Sequence, residues 1–139
     1  MHEVSILIID DNQVDCYLLE RELEATSFNL VISKKYNGLE AFEYFKKHQE
    51  CEQPEDGYPP HVIFLDVNMP LMNGFEFLEK FSELRESPIL SSTVIMMFTS
   101  SNNPKDVETA LKYKFVDSYL VKGEYSIEHI EDVIRKLVV

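Results

Sequence analysis

Five reactive side chains follow short apolar runs in this sequence. Asp10 and Asp11 follow "ILII", Asp66 follows "VIFL", Thr99 follows "VIMMF", and Lys122 follows "YLV". Three carboxylates brought together repel, and a divalent cation removes that cost; magnesium suits oxygen ligands and keeps room for water and phosphate. A carboxylate is also a nucleophile toward phosphorus, forming an acyl phosphate. Developing charge on a transferred phosphoryl group is neutralised by metal, lysine and hydroxyl donors. Taken singly, each residue has a plainer explanation: Asp11 as a helix cap, Asp66 as a solvated strand end, Thr99 as a loop cap, Lys122 as a surface charge. The argument for chemistry is that all of them stand at the same end of their strands.

The elements that must position them are legible as alternation. β-branched apolar runs at Ser5–Ile9, Leu30–Ile32, Val62–Leu65, Thr93–Phe98 and Tyr119–Val121 predict strands. Between them lie segments of helical spacing: Cys16, Leu19 and Leu23; Ala41, Phe42 and Phe45; Phe77, Leu78, Phe81 and Leu84; Val107, Ala110 and Leu111; Ile127, Ile130, Ile134 and Leu137. Asn103-Pro104 is a cap and first helical position, with Asp106 and Glu108 near the positive end of the dipole. Ser126 opens the last helix. The segment Gln49–Pro60, rich in proline and acids, predicts a mobile loop. Alternating strands and helices imply an α/β fold with a parallel sheet. The strands lack a polar face, as expected of a sheet covered by helices on both faces. In such sheets ligands bind outside the carboxyl ends of the strands. The second run leads only to Lys34-Lys35, which suits an edge strand.

Bulk properties narrow the function. The chain has 139 residues, which predicts one domain over 1–139. Its 25 acidic against 13 basic residues give a net charge of −12, which disfavours nucleic-acid partners. That charge fits simple solubility, and it also fits carboxylates gathered to hold a cation. No apolar stretch is long enough to insert in a membrane, and "MHEVSILIID" does not read as a signal peptide, so a cytoplasmic location is expected. The two cysteines form no C-x-x-C pair and suit a reduced compartment. The four histidines have no metal-ligand spacing. No glycine-rich cradle follows the first strand, which argues against a P-loop or flavin-phosphate site.

With "IIDDN", "FLDVNMPLMNG", "MMFTSS" and "YLVKG" in order at strand ends, the chain resembles the receiver domains of bacterial two-component response regulators, of the chemotaxis type. The resemblance covers Ser5 to Val139. It implies a doubly wound, flavodoxin-like five-stranded sheet in the order 2-1-3-4-5. It implies that Asp66 is the phosphoacceptor, and that Asp10, Asp11, Asp66 and the backbone carbonyl of Asn68 hold Mg2+. Thr99 would turn toward the phosphoryl group, Lys122 would pair with its oxygens, and Thr99 and Tyr119 would form the switch. Phosphorylation would alter the surface around Asn103–Val121. A half-buried strand tyrosine with its hydroxyl in water is the plainer account of Tyr119.

Two departures from the family pattern stand out: Gly123 where a proline usually follows the lysine, and Phe115-Val116 where a small pair is common. The first is expected to leave Lys122 less firmly placed, the second to alter the output face. The expected partners are a sensor histidine kinase or phosphotransfer protein and a downstream protein target. Taken as it stands, the chain is expected to be a single-domain regulator, with no enzymatic activity beyond its own phosphorylation and dephosphorylation. Two other readings stay open: a degenerate receiver that binds partners without phosphorylation, and an aspartyl-phosphate phosphatase. The second normally needs D-x-D, and Asn68 cannot transfer that proton. Asn68 and Ser101 stand where an attacking water would pass, so substitutions there are expected to change the phosphate lifetime.

Overall fold

A computed structural model describes residues 3–51, 54 and 56–137. The chain runs β1 (Glu3–Ile9), α1 (Gln13–Glu24), β2 (Asn29–Lys35), α2 (Gly38–Gln49), β3 (Val62–Leu65), α3 (Gly74–Leu84), a 3-10 turn (Pro88–Leu90), β4 (Val94–Thr99), α4 (Pro104–Leu111), β5 (Val116–Val121) and α5 (Ile127–Leu137). The five strands pair in parallel in the order β2-β1-β3-β4-β5. This is the doubly wound, flavodoxin-like topology, with its switch point between β1 and β3.

Apolar residues along the central strands alternate between two cores because successive strand side chains point to opposite faces. Leu7, Ile9, Ile63, Leu65, Ile95 and Met97 pack with Ala41, Phe45, Phe77, Phe81 and Ala110. Ile6, Ile8, Val62, Phe64, Met96 and Phe98 pack with Cys16, Leu19, Leu23, Ile130 and Ile134. A strand between two helix layers needs apolar residues at every position, which is why no polar face was visible in sequence.

Edge strands depart from the sequence expectation. β2 extends through Lys35, so Lys34 and Lys35 lie within it. β5 begins at Val116, three residues before the apolar run, and includes Asp117 and Ser118. Its pairing with β4 shifts between Ile95 and Met96, where a bulge accommodates the extra residue. Strand β4 starts at Val94 and ends on Thr99, so Thr99 is the last strand residue rather than the first of a loop. Leu111 is exposed, not packed, and α4 buries only Ala110 fully.

Phe115 and Val116 are both buried, and Phe115 meets Phe81 edge-on at 5.4 Å. Their bulk is spent on the core rather than displayed on the outer face. Of the predicted mobile loop, Glu52, Gln53 and Glu55 lie outside the described residues. Its distal part is anchored: Tyr58 stacks on His48 at 4.7 Å, and the Pro60 carbonyl accepts from the Thr93 hydroxyl at 2.7 Å.

Candidate functional site

The carboxyl ends of β1, β3, β4 and β5 form one rim. The Asp10 N–H continues the sheet ladder to the Lys35 carbonyl at 3.0 Å, and the Asp66 N–H donates to the Ile9 carbonyl at 3.0 Å. Both acids therefore leave the sheet on rigid backbone. One oxygen of each is occupied locally. Asp10 Oδ1 accepts from the Asn12 N–H at 2.9 Å, and Asp66 Oδ1 from the Val67 N–H at 2.7 Å. The second oxygens face the rim. Ligand atoms of Asp10, Asp11 and Asp66 lie within 4.8 Å of one another, with Asp10 and Asp66 buried and Asp11 exposed.

The loop after Asp66 is held close by Gly74, whose N–H donates to the Val67 carbonyl at 2.8 Å. A Cβ on Gly74 would lie 2.3 Å from the Asp66 carbonyl oxygen, so only glycine fits there. Asn73 then caps α3 through a reciprocal capping box with Glu76. The glycine and cap turn the chain into α3 immediately behind the acid. Asn68 is exposed in this loop, two residues past Asp66.

Lys122 reaches into the acids from β5. Its Nζ lies 2.7 Å from Asp10 Oδ2, 2.8 Å from Asp15 Oδ2 and 3.6 Å from Asp66 Oδ2. Burial opposes the ammonium charge, but the close carboxylates of Asp10 and Asp15 and the Asp66 charge outweigh it, raising the Lys122 pKa. Asp10 goes the other way: burial pushes its pKa up to about 6, against the opposing pull of Lys122 and the Asn12 N–H. The lysine approaches Asp10 Oδ2 too obliquely for a directed hydrogen bond. Among the described residues that buried oxygen has no hydrogen-bond partner, so the contact is an ion pair.

The turn behind the lysine corrects the expectation about Gly123. Glu124 N–H closes the turn on the Val121 carbonyl at 2.9 Å, and Gly123 takes φ +83°. A tight turn with positive φ at its third residue calls for glycine. The lysine backbone is pinned from the other side, its N–H donating to the Thr99 carbonyl at 2.8 Å. Gly123 thus leaves Lys122 well placed.

Thr99 is fully buried, and its Oγ1 accepts from the Ser101 N–H at 3.3 Å. The Ser101 hydroxyl donates to Asp106 Oδ2 at 2.6 Å, and the Ser101 carbonyl accepts from the Tyr119 hydroxyl at 2.9 Å. Tyr119 therefore does not leave its hydroxyl to water. It packs against the core and is tied to the segment that follows Thr99.

The structure brings Asp10, Asp11, Asp66 and Lys122 together, while Thr99 ends the neighbouring strand β4 with its hydroxyl on the Ser101 N–H. Asp15 was missed. It stands on the first turn of α1, 107 positions from the lysine it contacts. Its only sequence signal is its spacing, five residues after Asp10, and that spacing alone also fits an ordinary acid near a helix N-terminus.

A family model described as the response regulator receiver domain matches residues 6–135. The chain is 32% identical over 111 residues to the two-component response regulator ARR17 of Arabidopsis thaliana, covering 78% of this chain and 69% of that protein. It is 27% identical over 118 residues to the response regulator Rcp1 of Synechocystis, covering 85% and 76%. Among solved structures, the Mn(2+)-bound form of Rcp1 matches with a TM-score of 0.70 at 25% identity, over 96% of this chain and 88% of that one. A two-component response regulator from Cytophaga hutchinsonii shares the fold with a TM-score of 0.81 at 22% identity, over 99% and 98%.

Proposed function

We propose, from the premise that this chain belongs to the response regulator receiver domain family, that Asp66 accepts a phosphoryl group beside an Mg2+ ion held by Asp10, Asp11, Asp66 and the Asn68 backbone carbonyl. The observation that carries this reading is the gathering of three carboxylates within 4.8 Å beside the Lys122 ammonium. The residues fit a hard divalent cation: they offer oxygen ligands only, and Asp10 Oδ2 is buried without a hydrogen-bond partner among the described residues. When bound, the cation neutralises charge on the acids and on the phosphoryl oxygens. The Mn(2+)-bound form of Rcp1 supports a divalent cation in this relative of the fold.

Asp66 Oδ1 is engaged by the Val67 N–H, so Oδ2 is the nucleophile. It forms a bond to phosphorus as the donor's bond to phosphorus breaks and the donor keeps the electron pair. Lys122 neutralises the oxygens of the product, and Thr99 supplies a hydroxyl donor. Asn68 stands where a phosphatase would carry its acid, so the chain acts on its own aspartate and not on a series of substrates.

The switch reading rests on the Thr99–Ser101–Tyr119 connection. A Thr99 hydroxyl drawn to the phosphoryl group would give up the Ser101 N–H. The Ser101 carbonyl carries the Tyr119 hydroxyl, so the two would move together and change the α4–β5 surface. The donor is a sensor histidine kinase or phosphotransfer protein, the reader a downstream protein, and the setting the cytoplasm. Residues 1–139 act as one receiver. No helix among the described residues is long and apolar enough to cross a membrane.

Intact mass spectrometry tests the reading. With Mg2+ and a small phosphodonor, the protein should gain one phosphate, and Asp66→Asn should gain none. No adduct under any donor would leave a binding module without phosphorylation, and rapid turnover of varied phosphomonoesters would make the protein an enzyme.

A further inference from the structure

Of the three carboxylates around Lys122, only Asp15 lies outside the set that meets metal and phosphoryl group. It is also the one to which the ammonium donates a directed hydrogen bond, at 2.8 Å, among the described residues. The contact to Asp10 is oblique, and that to Asp66 is longer, at 3.6 Å. Asp15 is not engaged as the helix cap. Asn12 performs that role, its Oδ1 accepting the Asp15 N–H at 3.0 Å, and the Asp15 carboxylate turns across to β5. The pair is partly shielded, with side-chain exposures of 15% for Lys122 and 30% for Asp15.

We propose that Asp15 is a positioning residue for Lys122, holding its ammonium at the rim when Asp10 is taken by the metal ion. The reasoning is one of competition. A cation that engages Asp10 Oδ2 withdraws that oxygen from the lysine. A phosphoryl group on Asp66 converts that contact into the product itself. Of the three carboxylates, Asp15 alone keeps its partner through both events; the Phe98 ring, its centroid 5.6 Å from the ammonium, offers no hydrogen-bond acceptor that would fix the donors. An ammonium has three donors on a flexible stem, so one fixed acceptor still leaves two for phosphoryl oxygens. Without it, the lysine must be ordered anew at each turnover, at the expense of side-chain entropy. The tight turn at Gly123 and the Thr99 carbonyl fix the lysine backbone but not its ammonium.

This rests on the role proposed for Lys122 at the phosphoryl group, so the first test avoids phosphorylation. Protein labelled with 15N at lysine Nζ reports the Lys122 ammonium directly, assigned by its loss in Lys122→Met. In the wild type its hydrogen exchange should stay slow with and without Mg2+. In Asp15→Asn, exchange should quicken severalfold once Mg2+ is added, and Asp15→Glu should restore much of the protection. Unchanged exchange in Asp15→Asn with Mg2+ would overturn the proposal.

The second test is kinetic. Asp15→Asn should slow phosphorylation by a small phosphodonor about three- to tenfold, and should have no further effect in the Lys122→Met background. Equal losses in both backgrounds would show a merely structural role and overturn the proposal. If the wild type takes up no phosphate at all, the phosphoacceptor reading fails, and the ammonium measurement decides Asp15 by itself.

Discussion

The surroundings of Asp10 work against its charged form. Burial raises its pKa from 3.8 to about 6, more than Lys122 and the Asn12 N–H pull it down. A raised folded-state pKa means that the folded protein binds the proton more tightly than the unfolded chain. The contribution is therefore fully present below about pH 4 and lost as pH rises through about 6. In metal-free solution, Asp10→Asn should stabilise the protein at pH 7.5 by roughly 1–3 kcal/mol, and the gain should shrink as pH falls through about 6 and vanish only below about pH 4. Urea unfolding of both proteins across that range decides the matter; parallel curves would refute it. Asn68 and Ser101 bear on lifetime rather than stability. Asn68→Ala and Ser101→Ala should each change the decay of phosphorylated protein, although the Ser101 hydroxyl is already committed to Asp106. Unchanged decay in both would remove them from the path of water. At this scale Asp10, Asp11, Asp66, Thr99 and Lys122 were legible because each ends an apolar run. Asp15 was not, because its meaning lies in a contact across the fold.

At the level of elements, two glycines show how differently one methyl group is received. Gly74 opens α3 directly against the backbone of Asp66, so Gly74→Ala must push β3 and α3 apart. It should lose about 3 kcal/mol or more and phosphorylate poorly even where it remains folded. Gly123 has open space but positive φ, so Gly123→Ala should lose only about 1 kcal/mol and still accept phosphate. Denaturation midpoints with intact mass check both; equal losses would contradict the geometry. The elements themselves were read from periodicity, and the central strands were placed well because burial on both faces writes continuous apolar runs. The edge strands β2 and β5 were read too short. β5 has one neighbour and carries Asp117 and Ser118, polar residues that a half-covered strand tolerates and a run of apolar residues does not reveal.

For the molecule as a whole, the acidic rim links ion binding to stability. An ion that binds only the folded state stabilises it by mass action, about 2.7 kcal/mol at a hundredfold excess over Kd. Mg2+ should therefore raise the thermal midpoint in a saturable way, and the same ionic strength of NaCl should not. Asp10→Asn and Asp11→Asn should blunt the response. A rise matched by NaCl would mean general screening of the net charge of −12 rather than a site. The doubly wound sheet makes such a site possible, since strands from distant parts of the chain end together at one edge.

The sequence by itself determined the alternation of strands and helices, the two-sided burial of the sheet, and the acids, hydroxyl and lysine at the strand ends. These are local consequences of periodicity and of where an apolar run stops. Only the tertiary structure decided that Asp15 grips Lys122, that Tyr119 bonds Ser101, that Phe115 and Val116 turn inward, and that Gly123 leaves the lysine in place. Each of these depends on ångström-scale distances between elements far apart in the chain. Strand order and helix packing set those distances, and no local pattern of residues records them.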